Sequence, residues 1–150
     1  MSDESASGPA KKILVVDDDE VVLKTLSLKL HGAGYEVFTA MDGAEAVAAA
    51  RKEHPDLVVL DIGFPPAVDG VPWDGFRIMD WFQRLNPKKK IPIIIITGRD
   101  DPNYKERATR SGVVAFFHKP IDHGDLLKVI RTVLESSQAE APAGDRGTAR

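Results

Sequence analysis

Ile13-Leu14-Val15-Val16-Asp17-Asp18-Asp19 is an unbroken apolar run that stops on three carboxylates. Consecutive apolar residues without alternation fit a strand buried on both faces, as in a parallel sheet covered by helices. The pattern recurs downstream. Leu57 to Leu60 ends on Asp61, Ile93 to Ile96 ends on Thr97, and Val113 to Phe117 ends on His118, Lys119 and Pro120. Ligands of open α/β sheets gather in the crevice at the carboxyl ends of the strands, so these four ends are expected to share one site.

Helical spacing fills the intervals. Val22, Leu23, Leu26 and Leu30 form one apolar stripe, closed by Gly32 and Gly34, and Tyr35 to Thr39 reads as a second strand. Ala44 to Arg51 is an alanine-rich helix whose small side chains allow close approach to the sheet; His54 and Pro55 mark its end. After a long loop, Phe76, Ile78, Met79, Phe82 and Leu85 define a third helix face. Strand four spans Ile91 to Ile96, Tyr104 to Arg110 is a weaker helix ended by Gly112, and Asp125 to Leu134 carries a last apolar stripe. Five strands alternating with five helices predict an α/β fold: a doubly wound five-stranded parallel sheet flanked by five helices.

The 150 residues suit one domain, because compact domains usually hold about 100 to 150. With 43% hydrophobic and 29% charged residues the composition is globular. A net charge of −3 gives no global attraction to nucleic acid or anionic lipid, and the one basic run, Lys88 to Lys90, reads as a solvated turn. There is no cysteine, which removes disulfides, thiolate metal sites and thiol nucleophiles. The four histidines, at 31, 54, 118 and 123, show no zinc spacing, and no glycine-rich phosphate loop is present. The acidic N-terminus is unlike a secretory signal, and no apolar run approaches the roughly 18 residues of a membrane span. A soluble, cytoplasmic protein is expected, with residues 1–10 and 136–150 as disordered tails around a domain at 11–135.

Two adjacent carboxylates after one strand and a third after another offer the hard oxygen ligands that Mg²⁺ takes. Asp17 and Asp18 would be the pair and Asp61 the third. Acidic residues also gather at helix starts for capping and for the helix dipole. Capping is the preferred reading of Asp19; for Asp17 and Asp18 both readings stand. Asp61 lies just before Gly63 and a proline pair, where a carboxylate can act as a nucleophile toward phosphorus or simply close a turn. Thr97 and Lys119 add complementary chemistry, a hydroxyl donor and an ammonium able to pair with carboxylate or phosphate. The Lys119–Pro120 bond is one that can be cis, which would aim the lysine.

Taken together and in order, Ile-Leu-Val-Val-Asp-Asp-Asp, Leu-Val-Val-Leu-Asp, Ile-Ile-Ile-Ile-Thr-Gly and Phe-Phe-His-Lys-Pro resemble the receiver domain of bacterial response regulators, over about residues 11 to 135. The resemblance implies a flavodoxin-like, CheY-like sheet of order 2-1-3-4-5. It further implies phosphorylation of Asp61 by a histidine kinase or phosphotransfer protein, with Mg²⁺ held by Asp17, Asp18, Asp61 and the backbone carbonyl of Gly63. Thr97 and Lys119 would contact the phosphoryl group. Phe116, three residues before the lysine, matches the aromatic whose rotation accompanies activation, and is equally an ordinary core aromatic.

One departure stands out. Receivers place an Asp-Gly pair about eight residues beyond the phosphorylated aspartate, and here Asp69-Gly70 and Asp74-Gly75 both compete. The second sets Phe76, Ile78, Met79 and Phe82 in register with the family's buried helix face, so Pro66 to Trp73 holds an insertion of about six residues. Its Val68, Val71 and Trp73 would either touch a partner or anchor the loop. Gly63 and Arg99 occupy the positions that flank the phosphoryl group in the family, which leaves the dephosphorylation rate open.

The expected function is a phosphorylation-dependent switch, not an enzyme beyond its own phosphorylation and dephosphorylation, that acts on a downstream protein without direct nucleic-acid or membrane contact. The family's usual dimer face, made by the fourth helix, fifth strand and fifth helix, would serve a phosphorylation-dependent homodimer. Two alternatives compete: a phosphorylation-independent scaffold using residues 66–73, and an aspartyl-phosphate phosphatase. The phosphatase is disfavoured because Gly63 stands where such enzymes carry a second acid.

Overall fold

A computed structural model describes residues 10–62, 75–85, 90–98, 106, 108–110 and 112–140. Five parallel strands, β1 (Lys12–Val16), β2 (Glu36–Ala40), β3 (Leu57–Asp61), β4 (Ile93–Thr97) and β5 (Ala115–His118), form one sheet in the order β2-β1-β3-β4-β5. The helices are α1 (Glu20–Gly32), α2 (Gly43–Glu53), α3 (Gly75–Leu85) and a C-terminal helix, His123–Glu140. The described part of the weaker segment, residues 106 and 108–110, is also helical. The expected doubly wound sheet and its order 2-1-3-4-5 are therefore observed.

The side-chain period of two along each strand sorts the core into two layers. Leu14, Val16, Val58, Leu60, Ile93 and Ile95 face α2 and α3, where they meet Ala46, Ala50, Ile78, Met79 and Phe82. Ile13, Val15, Leu57, Val59, Ile94 and Ile96 face α1 and the C-terminal helix, against Leu23, Leu26, Leu30, Leu126, Ile130 and Leu134. Both layers are apolar, and β3, β4 and β5 contain no polar residue before their last position. Ala46 and Ala50 are fully buried, so the alanine-rich helix uses its small side chains to lie close to the sheet.

Caps fix where the helices begin. Asp19 is the N-cap of α1, its Oδ1 accepting from the Val21 backbone N–H at 2.9 Å. Asp42 caps α2 by accepting from the Glu45 N–H at 2.8 Å, while Glu45 Oε1 accepts from the Met41 N–H at 2.8 Å. α1 is followed by Gly34 at φ +100°, a conformation without cost only for glycine.

Several boundaries differ from the expected ones, those of β1, β2, β3 and α2 by one or two residues, and three differences have a visible consequence or cause. β4 begins at Ile93 rather than Ile91 because Pro92 has no N–H for the ladder; its carbonyl accepts from Val58 N at 3.0 Å. β5 begins at Ala115 rather than Val113 and ends one residue later than expected, so His118 belongs to the strand and pairs in register with Thr97. The C-terminal helix runs to Glu140, five residues into the expected tail, since Ser136 to Glu140 contains neither glycine nor proline to stop it. The remaining parts of both expected tails, Lys88 and Lys89 of the basic run, and the loop with Gly63, Val68, Val71 and Trp73 lie outside the described residues, as does Arg99. α3 opens at Gly75 and buries Ile78, Met79 and Phe82, in accord with Asp74-Gly75 as the pair preceding it.

Candidate functional site

Parallel register brings the carboxyl ends of β1, β3, β4 and β5 to one rim of the sheet. Asp17 follows β1 directly and is fully buried, its backbone N–H bonded to the Ala40 carbonyl at 3.1 Å. Asp61 and Thr97 are the last residues of β3 and β4, and both are buried. Lys119 follows β5, and its backbone N–H donates to the Thr97 carbonyl at 2.8 Å, which ties the two strand ends together.

Lys119 is the hinge of the electrostatics. Its Nζ donates to Asp61 Oδ2 at 3.0 Å and lies 2.8 Å from Asp17 Oδ2. The second contact is an ion pair without hydrogen-bond angles, so the buried Asp17 Oδ2 has a charge partner but no hydrogen-bond donor. Asp17 Oδ1 does accept one, from the Asp19 N–H at 2.9 Å. Burial pushes the Asp17 carboxyl up to about 6 from the ordinary 3.8; Lys119 and the Asp19 N–H oppose the rise and the Asp61 charge adds to it. Burial alone would lower the Lys119 ammonium, but its pairing with the Asp17 and Asp61 carboxylates outweighs it, so its pKa lies above the ordinary value.

Asp17, Asp18 and Asp61 each offer a carboxylate oxygen, and these oxygens lie within 4.8 Å of one another. Asp17 and Asp61 are buried while Asp18 is exposed, which gives a cluster open on one side. Among the described residues three carboxylates meet one ammonium, and the Asp17 oxygen without a donor there lacks the bond that burial normally requires. Such a donor set is compatible with a hard cation. Asp19 is not part of it, being committed to the α1 cap.

The expected residues Asp17, Asp18, Asp61, Thr97 and Lys119 thus come together at the strand ends. Phe116 sits one step back on β5, half-buried and packed against the layer that α2 and α3 cover. Sequence reading passed over His118. It is exposed, opposes Thr97 in register, and its ring lies edge-on to Phe116, with centroids 6.0 Å apart and planes at 61°. The signal was available in the alternation of the strand, which puts residues 116 and 118 on one face. Among the described residues no helix is long and apolar enough to cross a membrane.

Comparison with known proteins places this rim in context. The family model for the response regulator receiver domain matches residues 13–131. Protein PilH of Pseudomonas aeruginosa is 34% identical over 123 residues, covering 82% of this chain and 97% of PilH. The alkaline phosphatase synthesis transcriptional regulatory protein PhoP of Bacillus subtilis is 33% identical over 135 residues, 90% of this chain. The chain spans 53% of that regulator's length. Among solved structures, a CheY-like receiver domain protein from Methanospirillum hungatei superposes with a TM-score of 0.78 at 28% identity, covering 88% of this chain and 99% of its own. The chemotaxis protein CheY4 of Vibrio cholerae gives 0.73 at 32% identity, with 83% and 99% covered.

Proposed function

The chain belongs to the response regulator receiver family of two-component signalling, and from that premise we propose that it takes a phosphoryl group onto Asp61 from a partner's phosphohistidine. The observation that carries this reading is Lys119 Nζ held between Asp17 and Asp61, with Thr97 tied to the same lysine's backbone. A carboxylate oxygen of Asp61 attacks phosphorus as the P–N bond breaks. The bond's electron pair leaves with the imidazole nitrogen, which takes up a proton, and the product is an acyl phosphate.

Mg²⁺ held by Asp17, Asp18, Asp61 and the Gly63 carbonyl would supply neutralising charge for the phosphoryl oxygens. Lys119 then exchanges its bond to the Asp61 carboxylate for one to a phosphoryl oxygen, at no loss of ion pairing. The Thr97 hydroxyl donates to another of those oxygens, and Phe116 turns into the space vacated. A local charge change thereby biases a packed two-state element.

The donor is a histidine kinase or a phosphotransfer protein, and the output is control of a second protein in the cytoplasm. Beyond its own phosphorylation and dephosphorylation the chain turns over no substrate. Incubation with acetyl phosphate and Mg²⁺ should give an adduct mapped by mass spectrometry to Asp61, and beryllofluoride with Mg²⁺ should shift the resonances of Thr97 and Phe116. No adduct and no shift would leave a phosphorylation-independent scaffold as the better reading. Sustained hydrolysis of phosphomonoesters, lost in Asp61→Asn, would favour the phosphatase.

A further inference from the structure

We infer that His118 is a positioning residue for the switch, holding Phe116 in the orientation seen here and thereby setting how readily the chain is activated. The inference rests on the proposed role of Phe116. Alternate residues of a strand share a face, so Phe116 and His118 stand side by side on β5. Their rings meet edge-on at 6.0 Å, within the separation at which aromatic pairs attract beyond simple burial. The register then places Ile95 opposite Phe116 and Thr97 opposite His118. His118 is thus both the ring neighbour of the residue that turns and the strand partner of the residue that draws it.

The contact belongs to one side of the switch. In this structure Lys119 Nζ donates to Asp61 Oδ2 at 3.0 Å, the bond that the proposed transfer exchanges for a phosphoryl oxygen. An aromatic contact made here and given up when Phe116 turns favours the unactivated state. Covalent continuity strengthens the coupling, since the residue after His118 is Lys119, whose N–H bonds the Thr97 carbonyl at 2.8 Å. His118 is exposed, so replacing it does not open the core.

The test is a beryllofluoride titration in the presence of Mg²⁺, read by NMR at the Phe116 ring and the Thr97 amide, on wild type, His118→Ala and His118→Phe. The value of an aromatic pair corresponds to a shift of roughly two- to twelvefold, so His118→Ala should reach half-activation at a concentration lower by that factor. His118→Phe, which keeps the edge contact, should restore the wild-type midpoint. An unchanged midpoint in His118→Ala, or a His118→Phe variant that behaves like the alanine, overturns the inference while the wild-type response still stands. If Phe116 does not respond in the wild type, the switch reading itself fails and this inference falls with it.

Discussion

β3 and β5 are built from similar apolar residues under different physical conditions. Every residue of β3 is buried and the strand is flanked by β1 and β4, whereas β5 lies at the sheet edge with Ala115, Phe116 and Phe117 only half-buried. A close-packed interior resists displacement, so Asp61 at the end of β3 is held in one place. Phe116 is only half-buried, so its turning disturbs the core less than movement of a β3 residue would. The proposed phosphoryl acceptor and the aromatic proposed to turn thus sit on the rigid and the yielding parts of one sheet, with Thr97 on β4 between them.

The contrast can be broken most directly at Asp61 itself. Asp61→Asn should abolish the acetyl phosphate adduct entirely while leaving the fold intact, as judged by circular dichroism and mass spectrometry. Next come the packing terms. Ile95→Ala, in the fully buried β4, should destabilise by about 4 kcal/mol in urea denaturation. Phe116→Ala, on the half-buried edge, should cost only about 1 kcal/mol despite its larger side chain. Equal losses at the two positions would show that the edge is as tightly packed as the centre.

Asp17 sharpens the comparison through pH. Folding raises its pKa from 3.8 to about 6, so between those values the folded chain binds more protons than the unfolded one. Metal-free stability should therefore fall as pH rises through that window, with the loss complete above about pH 6. Asp17→Asn should remove the slope and stabilise the metal-free protein at pH 7 by up to about 3 kcal/mol. The same variant should lose the stabilisation that wild type gains from added Mg²⁺, measured by thermal denaturation. The smallest effect is expected away from the rim: Asp42→Ala, which removes the α2 cap, should cost about 1 kcal/mol and leave the beryllofluoride midpoint unchanged.

Much of this arrangement was legible before any coordinates. Uninterrupted apolar runs such as Leu57 to Leu60 fit strands covered on both faces, and the helical stripes between them supply the cover. The groups at the strand ends followed, because a parallel sheet collects all its carboxyl ends on one rim. Boundaries were less legible where they depend on a partner. Pro92 delays β4 only because the ladder needs a donor there, and His118 joins β5 only because Thr97 stands opposite.

By itself, then, the order of apolar and polar residues determined the layers and the chemical types at the rim, since those depend on local periodicity and on the short connections of a parallel sheet, while the strand order came only from the family resemblance. Tertiary structure alone decided that Lys119 lies between Asp17 and Asp61, that burial lifts the Asp17 carboxyl, and that His118 meets Phe116 edge-on. The reason is distance. Charge coupling and ring contact change over a few ångströms, and separations of that size between residues 17, 61 and 119 are set by register and packing.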